Sequence, residues 1–111
     1  MKRTKSKISK GEIHLIPFPF TDLGGNKLRP CVVIGCDRED VTVVFVTSIK
    51  PKNADYIEVA PTKENRLKAH SYIRYTKIAT LDTRMSLGQT GTLETQTYKT
   101  LVQAIIKFIS L

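Results

Sequence analysis

The sequence predicts a mainly β domain that ends in one α-helix. The chain has 111 residues, of which 41% are hydrophobic, and this is enough for one small domain with its own core. Short apolar or β-branched runs recur along it, separated by turn-forming residues. Only the last stretch has helical spacing, whereas a parallel α/β fold needs helices between its strands. We therefore expect a small, strongly bent antiparallel barrel with a helix packed on it.

The positive charge is concentrated near the N-terminus. The formal net charge is +8, and five basic side chains precede Gly11 with no acidic residue among them. These residues are Lys2, Arg3, Lys5, Lys7 and Lys10. We predict a basic flexible tail over residues 1–10 and a single barrel domain over residues 11–111. A solvated arm is the ordinary role of such a tail, and attraction to phosphates is the alternative.

The first half of the chain contains three candidate strands. Alternation and apolar runs predict them at Glu12–Pro17, Cys31–Ile34 and Val41–Val46. Pro17 and Pro19 are expected to interrupt the first strand, which leaves residues 17–20 as an extended edge segment. Turn formers predict a loop over residues 21–28, and the charged residues 37–40 predict a hairpin turn.

The second half predicts further short strands before the helix. They are Tyr56–Val59, Ser71–Tyr75 and a final strand or turn at Gly88–Leu93. Residues 77–81 either continue the second of these or begin a new strand. Residues 49–55 and 61–68 are predicted loops, the latter basic, and residues 82–86 predict one helical turn.

Apolar residues at spacings of three and four predict the C-terminal amphipathic helix. The buried stripe is predicted to contain Tyr98, Leu101, Val102, Ile105 and Ile109. The solvent face is predicted to contain Lys99, Gln103 and Lys107. Thr92 or Thr95 is expected to cap the helix, with Glu94 favourably placed near its N-terminus.

The sequence lacks the patterns of a disulfide, a metal site or an exported protein. Cys31 and Cys36 are too far apart along a continuous strand to be bridged, so we expect two reduced, partly buried thiols. His14 and His70 are isolated, and no metal-ligand spacing occurs, so no metal or other cofactor is expected. No apolar run approaches the ~20 residues of a membrane-spanning helix or follows the basic N-terminus as in a secretory signal. We therefore expect a cytoplasmic protein with no membrane partner.

Four sequence blocks occur in an order that is typical of a known family. They are GEIHLIPFPFTD at residues 11–22, KLRPCVVI at residues 27–34, VTS at residues 46–48 and the segment from Arg74 to Asp82. Together they resemble the MazF/PemK family of toxins from toxin–antitoxin systems, over about residues 10–110. The resemblance implies an SH3-like barrel of the MazF/PemK/CcdB type with a C-terminal helix, assembled as a homodimer.

The same resemblance implies a reaction and two partners. It implies a type II toxin that cleaves single-stranded RNA, including mRNA, as a metal-independent and sequence-selective endoribonuclease. The ribose 2′-hydroxyl attacks the adjacent phosphorus, and a 2′,3′-cyclic phosphate forms. This chemistry needs a proton acceptor, a cation for the phosphorane charge and an acid for the leaving oxygen. The implied protein partner is an acidic antitoxin whose disordered tail folds across the groove. The resemblance also implies DNA binding by the toxin–antitoxin complex.

Arg29 is the first catalytic candidate. It lies where a polar loop enters a buried strand, and its guanidinium offers a planar cationic fork to phosphate oxygens. Such a group suits stabilisation of the transition state and cannot abstract a proton. An arginine that only fixes its loop is the alternative. By resemblance Thr47 belongs to the catalytic site and Ser48 is a secondary RNA contact, although a Thr-Ser pair at a strand end also forms turns. Strand alternation would send their side chains to opposite faces.

The remaining site residues are predicted with less support from the residues themselves. Arg74 matches an RNA-facing arginine of some family members. Two positions further on, some members place an acidic candidate base, but this chain has Thr76, which we keep as an RNA contact only. His70 is the nearest group in sequence whose pKa lies in the range useful for a base, so it is the remaining candidate. A lone surface histidine nevertheless most often has no catalytic role. Lys50 and Lys52 either steer the RNA backbone or are simply solvated.

Two other functions stay open at the level of sequence. The same barrel in CcdB-type toxins inhibits DNA gyrase without enzymatic activity. A catalytically degenerate family member would bind RNA without cutting it, and the threonine at position 76 favours that alternative.

Overall fold

The computed structural model describes residues 8–18 and 27–111. Within them lie six strands and one α-helix, numbered in chain order. The elements are β1 (Glu12–Phe18), β2 (Lys27–Asp37), β3 (Asp40–Thr47), β4 (Ile57–Val59), β5 (Ser71–Asp82), β6 (Gln89–Thr92) and α1 (Thr95–Ile109), with a single 3-10 turn at Thr83–Met85. The expectations for residues 1–7 and 19–26, which include most of the basic tail and of the first loop, lie outside the described residues.

The six strands form one curled sheet in the order β4-β5-β3-β2-β1-β6. Each pair of neighbours is antiparallel. This confirms the mainly β class with a C-terminal helix. The predicted hairpin turn is also present, with Arg38 in the left-handed region at φ 60° between β2 and β3.

The sheet has buried residues on both faces. The first core contains Ile13, Val32, Val44, Val46, Val59, Ile73, Leu93 and Leu101. The second core contains Ile16, Cys31, Val33, Val41, Val43 and Phe45. Because successive residues of a strand point to opposite faces, β3 supplies side chains to both cores. A central strand that is buried on both faces has a firmly fixed register.

An irregularity in the pairing of β3 with β5 bends the sheet beside its centre. Val44 pairs with Ile78 and the next residue, Phe45, pairs with Arg74, so residues 75–77 are extra on β5. Such a bulge increases local twist and changes which face the following residues occupy. The strand nevertheless runs without a break, which decides that residues 77–81 continue it.

Two predicted strand boundaries are wrong. β1 continues through Pro17, which lies opposite Leu28. On its other side β1 pairs with β6 only over residues 12–14, so the missing N–H of Pro17 falls beyond that ladder. β2 begins at Lys27, not Cys31, because its first four residues pair with the end of β1.

The helix begins one residue after its N-cap, which is Glu94 and not Thr92 or Thr95 as predicted. Glu94 makes no capping bond, since its carboxylate accepts hydrogen bonds from the Thr62 hydroxyl and, at 3.5 Å, from the Asn65 amide. The predicted stripe is buried most deeply at Leu101, whereas Ile109 is 65% exposed and not part of the core. Among the described helices, none has the length and apolar character needed to cross a membrane.

Residues 8–11 contact the sheet. Ile8 packs against the second core, and its carbonyl accepts a bond from the Cys36 thiol at 3.1 Å. The backbone N–H of Gly11 donates to the Val33 carbonyl at 2.8 Å. Ile8, within the stretch for which the sequence predicts a tail, thus contacts the second core.

A buried asparagine fixes the long loop between β4 and β5. Asn65 is 0% exposed, and its Oδ1 accepts from the backbone N–H groups of Thr62, at 2.9 Å, and Leu67, at 3.0 Å. Its Nδ2 donates to the Ala60 carbonyl at 2.9 Å. The loop backbone then passes so close to β6 that a Cβ on Gly91 would lie 2.1 Å from the Asn65 carbonyl oxygen. The absence of a side chain at Gly91 is thus a condition for this approach.

We expect Gly91→Ala to destabilise the protein by roughly 1–3 kcal/mol, because backbone must move to admit the methyl group. Gly35→Ala is the matched control, since nothing lies within 4 Å of a Cβ at that position. Its unfolding free energy should stay within about 0.5 kcal/mol of the original. Urea denaturation of both variants gives the comparison, and equal stabilities would refute the close approach.

Candidate active site

The pairing of β2 with β3 brings Arg29 to Thr47. Cys31 pairs with Phe45, so two residues further out Arg29 reaches the level of Thr47 on the same face of the sheet. The guanidinium Nη1 of Arg29 donates to Thr47 Oγ1 over 3.5 Å, the long end of the hydrogen-bond range. The Cζ atom of Arg29 lies 5.8 Å from the centroid of the Phe45 ring, which places the cation against an aromatic face.

The Thr47 hydroxyl is positioned as a hydrogen-bond donor. Thr47 is 8% exposed, and besides the bond from Arg29 its Oγ1 accepts one from the backbone N–H of Ile49 at 3.1 Å. A hydroxyl has two acceptor lone pairs and one proton. Since both contacts are to the oxygen, the hydroxyl proton is available for a hydrogen bond to a ligand. The bond from Ile49 bears out the turn-forming interpretation of Thr47, and its role in a catalytic site stays a prediction.

Arg29, Thr47 and Ser48 line one cleft of about 400 Å³. Alternation within a strand predicts opposite faces for Thr47 and Ser48, but β3 ends at Thr47, so Ser48 is free of that constraint. The other lining residues are Leu15, Leu28, Pro30, Val46, Arg66, Leu67, Lys68, Ala69, Ser71 and Thr90. The wall opposite Arg29 is thus the end of the loop that Asn65 fixes.

The cleft is cationic. Its charged lining residues are Arg29, Arg66 and Lys68, and neither a carboxylate nor an imidazole is among the described residues that line it. Low-dielectric walls lined by one sign of charge concentrate the field and attract ligands of the opposite sign. In residues 8–18 and 27–111, no group of three His, Cys, Asp or Glu side chains could hold a metal ion. The arrangement therefore suits an anion such as a phosphodiester.

The Cys31 thiol, next to Pro30 of the cleft lining, is unreactive. Burial raises the pKa of Cys31 to about 12, although the positive charge of Arg29 acts in the opposite direction. Since the thiolate is the nucleophilic form, Cys31 contributes packing and not covalent chemistry. Both cysteines are free, but Cys31 is fully buried and Cys36 is exposed, so the expectation of two partly buried thiols is wrong.

Arg74 lies near this cleft without lining it. It pairs directly with Phe45 on β3, and directly opposed residues share a face. Arg74 is therefore on the same side of the sheet as Arg29. Its Nε is buried, and no described residue accepts a hydrogen bond from it. Thr76 lies in the bulge that follows and is half-buried, also outside the cleft lining.

The other predicted site residues do not line the cleft either. Lys50 and Lys52 are exposed in the loop after β3. His70 has a 52% exposed side chain, and its Nε2 lies 3.4 Å from Glu58 Oε2. Its ring packs edge-on against Tyr72, with 5.5 Å between the centroids. Its assignment as the general base thus gains no geometric support.

His14 has a structural environment. It is 6% exposed, and its two ring nitrogens lie 2.7 Å from Ser86 Oγ and 2.9 Å from Glu12 Oε1. Both nitrogens are therefore engaged within the fold, and His14 ties β1 to the segment before β6.

Comparison with known protein families decides the classification. Residues 9–109 match the family described as PemK-like, MazF-like toxin of type II toxin–antitoxin systems. The chain belongs to this toxin family. The match covers nearly all of the described domain and confirms the resemblance inferred from the four sequence blocks.

Solved structures of similar fold include several toxins. An endoribonuclease in complex with its cognate antitoxin, from a mycobacterial species, has a TM-score of 0.71 at 15% identity, covering 95% of this chain and 99% of that one. The Mycobacterium tuberculosis toxin MazF-mt6 has a TM-score of 0.67 at 20% identity, covering 86% and 93%. A MazE–MazF structure from Deinococcus radiodurans has a TM-score of 0.67 at 17% identity, covering 92% and 95%. At these identities the likeness establishes the fold. A comparison with curated protein sequences gave no significant match.

The toxin's cleft includes three residues that the sequence did not single out. Arg66, Lys68 and Thr90 line it together with Arg29. The basic composition of residues 61–68 was the only available signal, and it does not separate a solvated loop from a site wall. Their placement depends on Asn65 and Gly91, whose contacts join residues distant in sequence.

Proposed function

We propose that this toxin is a metal-independent, sequence-selective endoribonuclease acting on single-stranded RNA. The observation that carries the proposal is the convergence of the Arg29 cation and the Thr47 hydroxyl in one cationic cleft. Membership of the toxin family supports the same reading. Similar folds among proteins named as endoribonucleases are consistent with it.

In the proposed reaction the substrate supplies its own nucleophile. The ribose 2′-oxygen forms a bond to the adjacent phosphorus while the bond from phosphorus to the 5′-oxygen breaks. The products are a 2′,3′-cyclic phosphate and a 5′-hydroxyl, and the proton of the 2′-hydroxyl is balanced by one taken up by the leaving oxygen. No metal-bound water is needed as nucleophile, and the cationic and neutral residues that line the cleft suit stabilisation of the charge on the phosphorane.

Arg29 and Thr47 have distinct roles in this proposal. The Arg29 guanidinium stabilises the negative charge that develops on the phosphorane oxygens, where a preorganised cation contributes most. The Thr47 hydroxyl donates a hydrogen bond to a phosphate oxygen, since the contacts from Arg29 and Ile49 are to its oxygen. The Phe45 ring and the β2–β3 pairing hold Arg29 in place, so little reorganisation is needed during the reaction.

A second candidate function is favoured by the composition of the cleft. No carboxylate or imidazole lines it among the described residues, so the described wall has no group suited to general-base catalysis. A toxin that binds RNA without cutting it would have the same cationic cleft. Cleavage without a protein base is also chemically possible, with solvent water accepting the proton and catalysis resting on charge stabilisation. End analysis of RNA incubated with the toxin separates the two functions.

Further RNA contacts extend from the cleft. Arg74 is proposed as a phosphate contact, and the support is its buried guanidinium Nε, which has no acceptor among the described residues. Ser48 lines the cleft and is proposed to contact the same RNA strand. Lys50, Lys52 and Thr76 are proposed as outer contacts that add affinity without chemistry.

The proposed partners are an antitoxin and a second copy of the toxin. An acidic antitoxin segment suits the cationic cleft and would block access of RNA. A homodimer is supported by the end of α1, where Ile106, Phe108 and Ile109 are 53%, 53% and 65% exposed. Large apolar side chains exposed together at one helix end favour a protein contact.

RNA incubated with the purified toxin in EDTA should be cut, and the fragments should carry 2′,3′-cyclic phosphate or 3′-phosphate ends. Arg29→Ala should lower the single-turnover rate at saturating RNA by roughly 10²–10³, because it removes charge stabilisation in the transition state. Lys107→Ala is the control, since it removes one positive charge from the solvent face of α1.

Three results would count against this assignment. Fragments with 3′-hydroxyl ends that require Mg²⁺ would exclude attack by the 2′-hydroxyl. Binding of RNA with no cleavage would select the second candidate function. An Arg29→Ala variant that cuts at the original rate would remove Arg29 from the chemical step.

Sedimentation equilibrium at micromolar concentration should give the mass of a dimer. Phe108→Glu should shift the mass towards the monomer, because it places a charge in an apolar contact. Lys99→Glu, at an exposed polar position of the same helix, is the matched control and should keep the dimer. A monomer with full activity would contradict the proposed assembly.

A further inference from the structure

A second depression of about 760 Å³ lies beside the cleft. The two share Arg66, Lys68 and Thr90 as lining residues, so they meet along the end of the loop between β4 and β5. The two depressions therefore adjoin at this loop, the cleft on the side of the Arg29–Thr47 pair and the second depression on the side of β6. We call the second depression, with the shared residues included, the outer groove.

The outer groove is positively charged and polar. Lys63, Arg66 and Lys68 contribute three positive charges against the one negative charge of Glu64, and Gln89 and Thr90 add neutral hydrogen-bonding groups. No aromatic residue lines it among the described residues, so stacking on bases is not available there. Lysine and arginine side chains contact the phosphates of nucleic acids irrespective of sequence. The chemistry of the surface therefore fits a polyanionic backbone and not exposed bases.

Arg66 is held in a conformation that costs energy. Its φ is 55°, in the left-handed region that a residue with a Cβ rarely adopts. The backbone N–H of Arg66 donates to the Thr62 carbonyl at 3.0 Å. Asn65 Oδ1 accepts hydrogen bonds from the backbone N–H groups of Thr62, before Arg66, and Leu67, after it. Backbone strain that the surrounding structure enforces is characteristic of ligand-binding positions. Here it places a guanidinium at the junction of the cleft and the outer groove.

We propose that the outer groove binds the phosphodiester backbone of the RNA beyond the cleavage site, with Arg66 and Lys68 as the contacts at the junction. This proposal rests on the proposed function and adds a direction to it, because the RNA strand would leave the cleft over the loop between β4 and β5. Asn65 is a positioning residue in this account, because it holds the loop and touches no ligand. The RNA segment is recognised by its phosphates, so the outer groove contributes affinity and the cleft contributes sequence selection.

The test compares a long RNA with a short one. An RNA that the toxin cuts is made uncleavable by a 2′-deoxy sugar at the cleavage site, and it is shortened from each end to the smallest form that still binds. Fluorescence anisotropy gives the dissociation constants of the long and short forms at several salt concentrations. The variants are Arg66→Gln with Lys68→Gln and, as a control of equal charge change, Lys99→Gln with Lys107→Gln on the solvent face of α1.

We expect the ratio of the short-RNA to the long-RNA dissociation constant to fall towards one in the groove variant and to be retained in the control. The salt slope for the long RNA should decrease by about 1.4, since each phosphate contact on a single strand contributes about 0.7. Arg66→Lys with Lys68→Arg should restore the ratio. Circular dichroism checks that each variant is folded.

An unchanged ratio in the groove variant, or an equal fall in the control, overturns the proposal. A different outcome is that binding of a glutamate-rich peptide is lost in the groove variant while RNA binding is retained. The outer groove would then bind an acidic protein segment, and the proposal would be wrong. If the original toxin neither binds nor cuts RNA, the proposed function has failed, a result distinct from an unchanged ratio in a toxin that cuts.

Discussion

The fixed position of one guanidinium, that of Arg29, is the constraint on which the cleft depends. Arg29 contacts the Phe45 ring and the Thr47 hydroxyl, and both partners lie on β3. The pairing of β2 with β3 therefore decides where the cation is placed. A slip of one residue would turn Arg29 to the opposite face, but Cys31 and Val33 are 0% exposed in the second core and resist it. The stability of the core and the geometry of the site are thus set by the same strand register.

The opposite wall depends on polar contacts. Asn65 is buried among backbone groups of its own loop, and burial of an amide is tolerated because Oδ1 and Nδ2 are hydrogen-bonded. Glu94 adds to this arrangement from the start of α1 and consequently does not cap the helix. The helix therefore closes the first core through Leu101 and also supports the loop that presents Arg66 and Lys68. One wall of the cleft follows from strand pairing and the other from a buried hydrogen-bond network.

The sequence predicted the first wall well and the second poorly. Apolar runs located β2 and β3, and the resemblance placed Arg29, Thr47 and Ser48 in one site, where the structure brings them together. The sequence did not predict that Arg66 lines the cleft, because its position depends on the hydrogen bonds of Asn65 and no local sequence pattern indicates them. Helical periodicity identified the face of Leu101 but not how far along α1 the sheet extends, so Ile109 was misplaced. Local chemistry and periodicity predict elements and faces, whereas tertiary hydrogen bonds decide which loops reach a site.

The central claim is that a phosphate of bound RNA contacts Arg29 and Thr47. Nuclear magnetic resonance of the isotopically labelled toxin tests it directly, with an RNA made uncleavable by a 2′-deoxy sugar at the cleavage site. We expect the Arg29 Nε–H signal and the Thr47 amide signal to shift during the titration, while signals of Lys99 and Lys107 on the solvent face of α1 stay in place. Saturable RNA binding that leaves the Arg29 and Thr47 signals unchanged would contradict the account.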